Sequence, residues 1–182
     1  RLSRLKHFAT TNNMSIVAGA PINRASELPD LAALIFKPDG TTQIYSKIHL
    51  HGPEKQYFSS GTSHIIESLD GLMIGNAICA DISHAEHSAN YASNGAGVYL
   101  AGVLISESGY AQDETYLVQS SKEHNMLVGI ANYMNPINGW IAKGDSALWF
   151  KGELLCRAGN EASLVIARKL DQSWESEVII IA

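Results

Sequence analysis

The stretch "IGNAICADISHAEH", residues 74–87, decides how the chain is read, because an apolar run ends at Cys79 and gives way to Asp81, His84, Glu86 and His87. Residues 72–79, "LMIGNAIC", are apolar at both alternating sets of positions, as a strand covered on both faces of a sheet must be. Ser83-x-x-Glu86 has the form of a capping box, in which the hydroxyl and the carboxylate each satisfy an unpaired backbone N–H at a helix start. This predicts a helix over residues 84–93, closed by Asn94-Gly95. Cys79 then lies at a strand-to-helix elbow, where free N–H groups and the positive end of a helix favour a thiolate.

Outward from the elbow the pattern alternates. "AGVYLAGVLI" (96–105) reads as a buried strand, "AQDETYLVQSSKEHN" (111–125) as a helix with acids early and Lys122 late, and "MLVGIANYM" (126–134) as a third strand. Hairpins flank this βαβαβ middle. Upstream, "DLAALIFKPDGTTQIYSK" (30–47) is two strands split by Lys37-Pro38-Asp39-Gly40, and a second pair turns at Asp70-Gly71. Downstream, "ALWFKGELLCRAG" (147–159) turns at Lys151-Gly152 and "EASLVIARKL" (161–170) follows as strand. "MSIVAGAPI" (14–22) reads as a buried strand, and Leu2, Leu5 and Phe8 recur as on an amphipathic helix ending at Asn12-Asn13. The expectation is one α/β domain over residues 1–182 with a mixed sheet covered on both faces.

Composition bounds the function. The 182 residues are 46% hydrophobic and 17% charged, with 18 acids scattered among 13 bases, so no basic stripe for nucleic acid is present. No apolar stretch approaches the roughly 20 residues that span a bilayer, and two cysteines are too few for a disulfide framework. The chain reads as cytoplasmic, without nucleic-acid or membrane partners.

The loop "HLHGPEKQYFSSGTS" (49–63) is too rich in His, Glu and Tyr to be a mere connector. Lys47 precedes it and Glu54 lies within it. Lys47 in "YSKIHLHGPE", Glu54 seven residues on, and Cys79 in "AICADISHAE" resemble the lysine, second-glutamate and cysteine motifs of the nitrilase superfamily of carbon–nitrogen hydrolases. "SSKEHNMLVGIAN" and "GDSALWFKGELL" follow in family order, so the resemblance covers nearly the whole chain.

The resemblance implies an α-β-β-α sandwich and hydrolysis of a small amide, carbamoyl or nitrile group through a Cys79 thioester. Lys47 and the backbone N–H of Ala80 would stabilise the oxyanion, and Glu54 would orient Lys47. Asp81 and Glu86 would support the turn and the cap. Tyr57, Phe58, Ser106, Tyr110, Asn132 and Trp140 fall where the family lines its pocket, giving a mixed aromatic and polar wall suited to a small neutral amide. No cofactor and no metal is implied, and the apolar tail "SWESEVIIIA" with the family's habits implies a homodimer or higher homo-oligomer.

The sequence departs from the family in two places. Ala85 stands where proline is usual. The general-base glutamate belongs to a strand before the first helix, and nothing here matches it, since Glu27 falls later in a polar loop. The expectation is an N-terminally truncated domain that is nearly inactive in isolation. Two other readings stay open: a non-catalytic relative kept for binding or assembly, and a metal site at Asp81, His84 and His87. His49 and His51 alternate on an extended segment but are read as loop lining, and Cys156 as packing.

Overall fold

A computed structural model describes residues 2–24, 27–137, 139–159 and 161–181. Helix α1 (Leu2–Thr11) leads into a three-stranded antiparallel sheet of β1 (Ile16–Arg24), β2 (Glu27–Phe36) and β3 (Thr42–Ser46). The β2–β3 turn falls at Lys37–Gly40 as expected, with Gly40 at φ +80°, a region open to glycine without steric cost. Glu27 opens β2, so it belongs to a strand and not to the polar loop that its neighbours suggest. α1 also differs in detail. Its one buried residue is Ala9, while Phe8 is 58% exposed, so the Leu2, Leu5, Phe8 spacing marks only part of the packed face. β1 lies half-open, with Val17 exposed, where a fully buried strand was expected.

The second sheet has six strands in the order β4 (Ile66–Leu69), β5 (Leu72–Ile78), β6 (Val98–Val103), β7 (Leu127–Asn132), β8 (Ala147–Phe150) and β9 (Glu153–Arg157). β5, β6 and β7 are parallel, joined through α2 (Ala85–Ser93) and α3 (Tyr110–His124), and antiparallel hairpins close both sides. This is the mixed α/β arrangement that the sequence predicts. Asp70-Gly71 and Lys151-Gly152 each place two consecutive residues at positive φ, which matches the twist of the strands they join. β10 (Ser163–Lys169) and β11 (Trp174–Ile180) form a separate antiparallel ribbon.

The main core lies on the side of the six-stranded sheet covered by α2 and α3, where Tyr91, Tyr99, Leu117, Val128 and Trp149 are buried together. Gly75 permits this packing: a Cβ there would lie 2.5 Å from the Tyr91 ring. A second cluster around Ile74, Val98, Leu127 and Leu148 packs against Val165 and Trp174 of the ribbon. Cys156 of β9 is part of that packing, and burial raises its thiol above the ordinary value. Among the described residues no helix is long and apolar enough to cross a membrane.

Candidate active site

Cys79 follows the last residue of β5 and begins a 3-10 turn, Cys79–Ser83, that separates the strand from α2. Its φ of +46° is one that L-residues seldom adopt, and such strain persists only where the surroundings fix it. What fixes it is Asp81, which is fully buried. Its Oδ2 accepts the Ile78 N–H at 2.9 Å and the Tyr45 hydroxyl at 2.6 Å, and its Oδ1 accepts the His49 N–H at 2.8 Å. One carboxylate therefore pins both the residue before Cys79 and the loop that follows Lys47.

The network continues inward with its proton positions determined. The single Tyr45 proton goes to Asp81, so the 2.8 Å contact between Tyr45 and His87 must be a donation from Nε2–H. His87 Nδ1 is then the acceptor for Tyr99 O–H at 2.7 Å. Burial lowers the His87 pKa to about 4, and the attraction of Asp81 does not overcome it, which keeps the ring neutral as these bonds require. Burial likewise raises Tyr45 and Tyr99 well above the ordinary tyrosine value.

This wiring removes the alternative reading of Asp81, His84 and His87 as a metal trio. Asp81 and His87 have their polar atoms engaged in the interior, and the His84 ring faces Glu86 at 3.3 Å instead. The capping box is also replaced. The N-cap of α2 is His84, with no side-chain cap bond, and Ser83 Oγ donates to the Ala80 carbonyl at 2.9 Å. The intervening 3-10 turn shifts the helix start one residue beyond Ser83's reach.

A cavity of about 940 Å³ runs between the two sheets, from Val17 and Ala33 on one side to Leu100 and Gly129 on the other. Lys47, Glu54, Cys79 and Ala80 all line it, so the structure brings these four sequence-predicted residues to one place. Lys47 is buried, and its ammonium donates to Glu54 Oε2 at 2.6 Å. Glu54 Oε2 also accepts the His51 N–H at 2.7 Å, inside the 3-10 turn Gly52–Gln56. The Cys79 S–H donates to the Leu104 carbonyl at 3.9 Å.

Of the expected pocket wall, Ser106 and Trp140 line the cavity. Tyr57 instead faces solvent at 64% exposure, and Tyr110 donates to the Asp145 carbonyl at 2.6 Å from within the helix-side core. Asn132 anchors backbone, accepting the Ile105 N–H and donating to the Gly144 carbonyl. Tyr110 and Asn132 support the loops around the site, and none of the three is among the described lining residues.

Sequence reasoning passed over Asn76 and Asp113. Asn76 is buried, lines the cavity, and its Nδ2 has no hydrogen-bond partner among the described residues. Asp113, on the first turn of α3, lines the same space, and burial raises its carboxyl above the ordinary value. An isolated Asn in an apolar run is a signal of sorts, because a buried amide is costly unless something pairs with it. Asp113 carries no comparable signal, since an acid in a first helical turn is commonplace.

Solved structures of an amidase from Nesterenkonia sp. AN1 share this fold. A glutamate-to-glutamine mutant carrying the acetamide moiety of fluoroacetamide on its active-site cysteine is 24% identical, with a TM-score of 0.77 over 87% of this chain and 62% of that one. A cysteine-to-alanine mutant in complex with butyramide gives the same identity, TM-score and shares. The enzyme after removal of its His-tag is 22% identical over 99% of this chain and 67% of that one, also with a TM-score of 0.77. The chain thus spans 62% of the length of the first of these structures. Comparison with curated proteins gives no match. The sequence model of the Carbon-nitrogen hydrolase family matches residues 1–176. With that match over almost the full length, and an α/β fold shared with the Nesterenkonia amidase, the chain belongs to the carbon–nitrogen hydrolase family.

Proposed function

We propose that this site hydrolyses a non-peptide carbon–nitrogen bond in a small neutral amide, through a thioester on Cys79. The observation that carries the reading is the convergence of a buried lysine–glutamate pair and a positive-φ cysteine on one cavity. Cys79 attacks the carbonyl carbon, and Lys47 with the Ala80 N–H receives the negative charge that develops on oxygen. Glu54 holds the Lys47 ammonium in place. Ser106, Trp140 and the free Asn76 amide supply a wall with one donor for an acceptor on the acyl portion. The Nesterenkonia amidase bound to butyramide supports a substrate of this size class. Exposed Ile179, Ile180 and Ile181 at the end of the ribbon favour assembly with a second copy.

The chemistry also needs a group to take the thiol proton and pass it to the leaving amine. Two carboxylates line the cavity among the described residues, Glu54 and Asp113. Glu54 is committed to Lys47, and neither carboxylate is hydrogen-bonded to Cys79. The 182-residue chain alone is therefore expected to form covalent adducts far more readily than it turns over.

Intact-mass and peptide mapping after treatment with an α-haloacetamide tests this. The expected result is one adduct on Cys79, none on Cys156, and little ammonia from a panel of small amides. Rapid ammonia release that survives Cys79→Ser would overturn the nucleophile assignment. Rapid release abolished by Cys79→Ser would keep that assignment and overturn only the expected inactivity.

A further inference from the structure

Outside the catalytic cavity, His49, His84 and Glu86 bring three ligand atoms within 4.8 Å of one another. We propose that these three residues form a binding site for a divalent transition-metal ion of the zinc or nickel class. The ion would bridge the loop carrying Lys47 and the elbow carrying Cys79.

The argument starts from how the ligands are held. Asp81 accepts the His49 N–H through Oδ1, and its backbone carbonyl accepts the His84 N–H at 3.2 Å. One buried residue thus fixes both histidine backbones and holds the two ring-bearing segments against each other. The two imidazoles lie 3.7 Å apart and nearly parallel, at 10°. Glu86, from the first turn of α2, places Oε1 3.3 Å from His84 Nδ1 and 4.0 Å from His49 Nε2.

Tetrahedral zinc with bonds of about 2.0 to 2.1 Å needs ligand atoms roughly 3.3 Å apart. Of the three pairs, His84–Glu86 already meets that spacing, His49–Glu86 must close by less than an ångström, and the two imidazole nitrogens, which lie within 4.8 Å, must close by up to about 1.5 Å. The stacked rings must also tilt, because parallel lone pairs do not meet at a point. His84 and Glu86 have the exposure to make that movement, with side chains 43% and 69% accessible. Two imidazoles and one carboxylate select zinc, nickel or copper over calcium and magnesium, which prefer oxygen ligands. Water completes the fourth position.

The ion would have a consequence at the neighbouring site. His49 lies two residues after Lys47, and His84 five residues after Cys79. A bridging metal would therefore restrain the relative motion of oxyanion donor and nucleophile, without touching either.

The test is equilibrium dialysis and calorimetric titration of the full chain with zinc chloride and nickel chloride. The expected result is one ion per chain with a Kd of about 1 to 10 µM, weakened at least about tenfold by His84→Asn and several-fold by Glu86→Gln. A Cys79→Ser/Cys156→Ser double variant and His51→Ala should bind as the parent does. Glu86→Gln is exposed and should fold normally, which guards against loss of binding through misfolding at the helix start. Binding weaker than about 100 µM in the parent, equal affinity in His84→Asn and Glu86→Gln, or loss of binding in the cysteine double variant would each overturn the site.

Discussion

Two regions meet at Cys79 and are built on opposite plans. Behind the cysteine, every polar group of Asp81, Tyr45, His87 and Tyr99 has a partner, in a chain whose proton positions are determined. In front of it the cavity is mainly apolar, with the Lys47–Glu54 ion pair and an Asn76 amide whose donor has no partner among the described residues. The difference separates two tasks. The rear network holds backbone against the strain of a positive φ, while the front leaves polar capacity for something not part of the chain.

The largest effect should come from breaking the rear. Asp81→Asn keeps the shape but turns one acceptor into an NH₂ group. However the amide is oriented, it confronts a backbone N–H or leaves the Tyr45 hydroxyl without its acceptor. One or two of the three donors to a buried carboxylate lose their acceptor, so a loss of about 3 to 5 kcal/mol is expected in urea unfolding. Alkylation of Cys79 should lose its selectivity over Cys156 as the elbow relaxes. A loss below about 1 kcal/mol would mean that the strain at Cys79 is held by something other than Asp81.

Acid should attack the same network without a mutation. His87 stays neutral in the folded protein down to about pH 4, whereas the unfolded chain takes up its proton near the ordinary value of 6.5. Between those values the unfolded state binds more protons. Stability is then complete above about pH 6.5 and falls as pH drops toward 4, by about 2 to 4 kcal/mol at most. Burial lowers His49 and His64 in the same direction, so they add to the fall. The His87→Gln variant, measured from pH 7.5 to 4.5, should lose much of this slope. An unchanged slope would move its origin to other groups.

A smaller effect probes how the rear is packed. Gly75→Ala would drive its methyl into the Tyr91 ring, whose hydroxyl donates to the Asn76 carbonyl at 2.9 Å. The cost should be about 1 to 3 kcal/mol in thermal unfolding. Because Asn76 faces the cavity and its carbonyl holds the ring behind, this substitution also tests whether disturbing one region reaches the other. Unchanged α-haloacetamide reactivity at Cys79 would show that the two are mechanically separate.

The parts legible in the sequence were those written in contiguous patterns. The parallel β5, β6 and β7 with α2 and α3 between them followed from runs of apolar periodicity, and the turns at Asp70-Gly71 and Lys151-Gly152 from local backbone chemistry. Lys47, Glu54 and Cys79 were singled out because their order matched a family motif, and all three line one cavity. The rear network was not legible. Tyr45, Asp81, His87 and Tyr99 come from four different elements, and no spacing along the chain announces that they meet. Tyr57, Tyr110 and Asn132 were placed in the wall by analogy of position; among the described residues Tyr57 is exposed, Tyr110 and Asn132 hydrogen-bond to backbone carbonyls, and none of them lines the cavity.

Ser83 gives the smallest expected effect and the cleanest discrimination between pattern and geometry. If Ser83 capped α2 together with Glu86, Ser83→Ala would cost about 1 kcal/mol, the usual value for a lost N-cap. In the folded chain its hydroxyl instead donates to the Ala80 carbonyl on an exposed surface, and His84 occupies the cap without a side-chain bond. An exposed hydroxyl that exchanges one carbonyl for water contributes little, so Ser83→Ala should change stability by less than about 0.5 kcal/mol. A measured loss near 1 kcal/mol, with a matching loss in Glu86→Gln, would restore the capping box. It would also start α2 at His84 with Ser83 as its cap, bring the helix N-terminus closer to Cys79, and make the front of the site depend on a helix dipole that the 3-10 turn now holds at a distance.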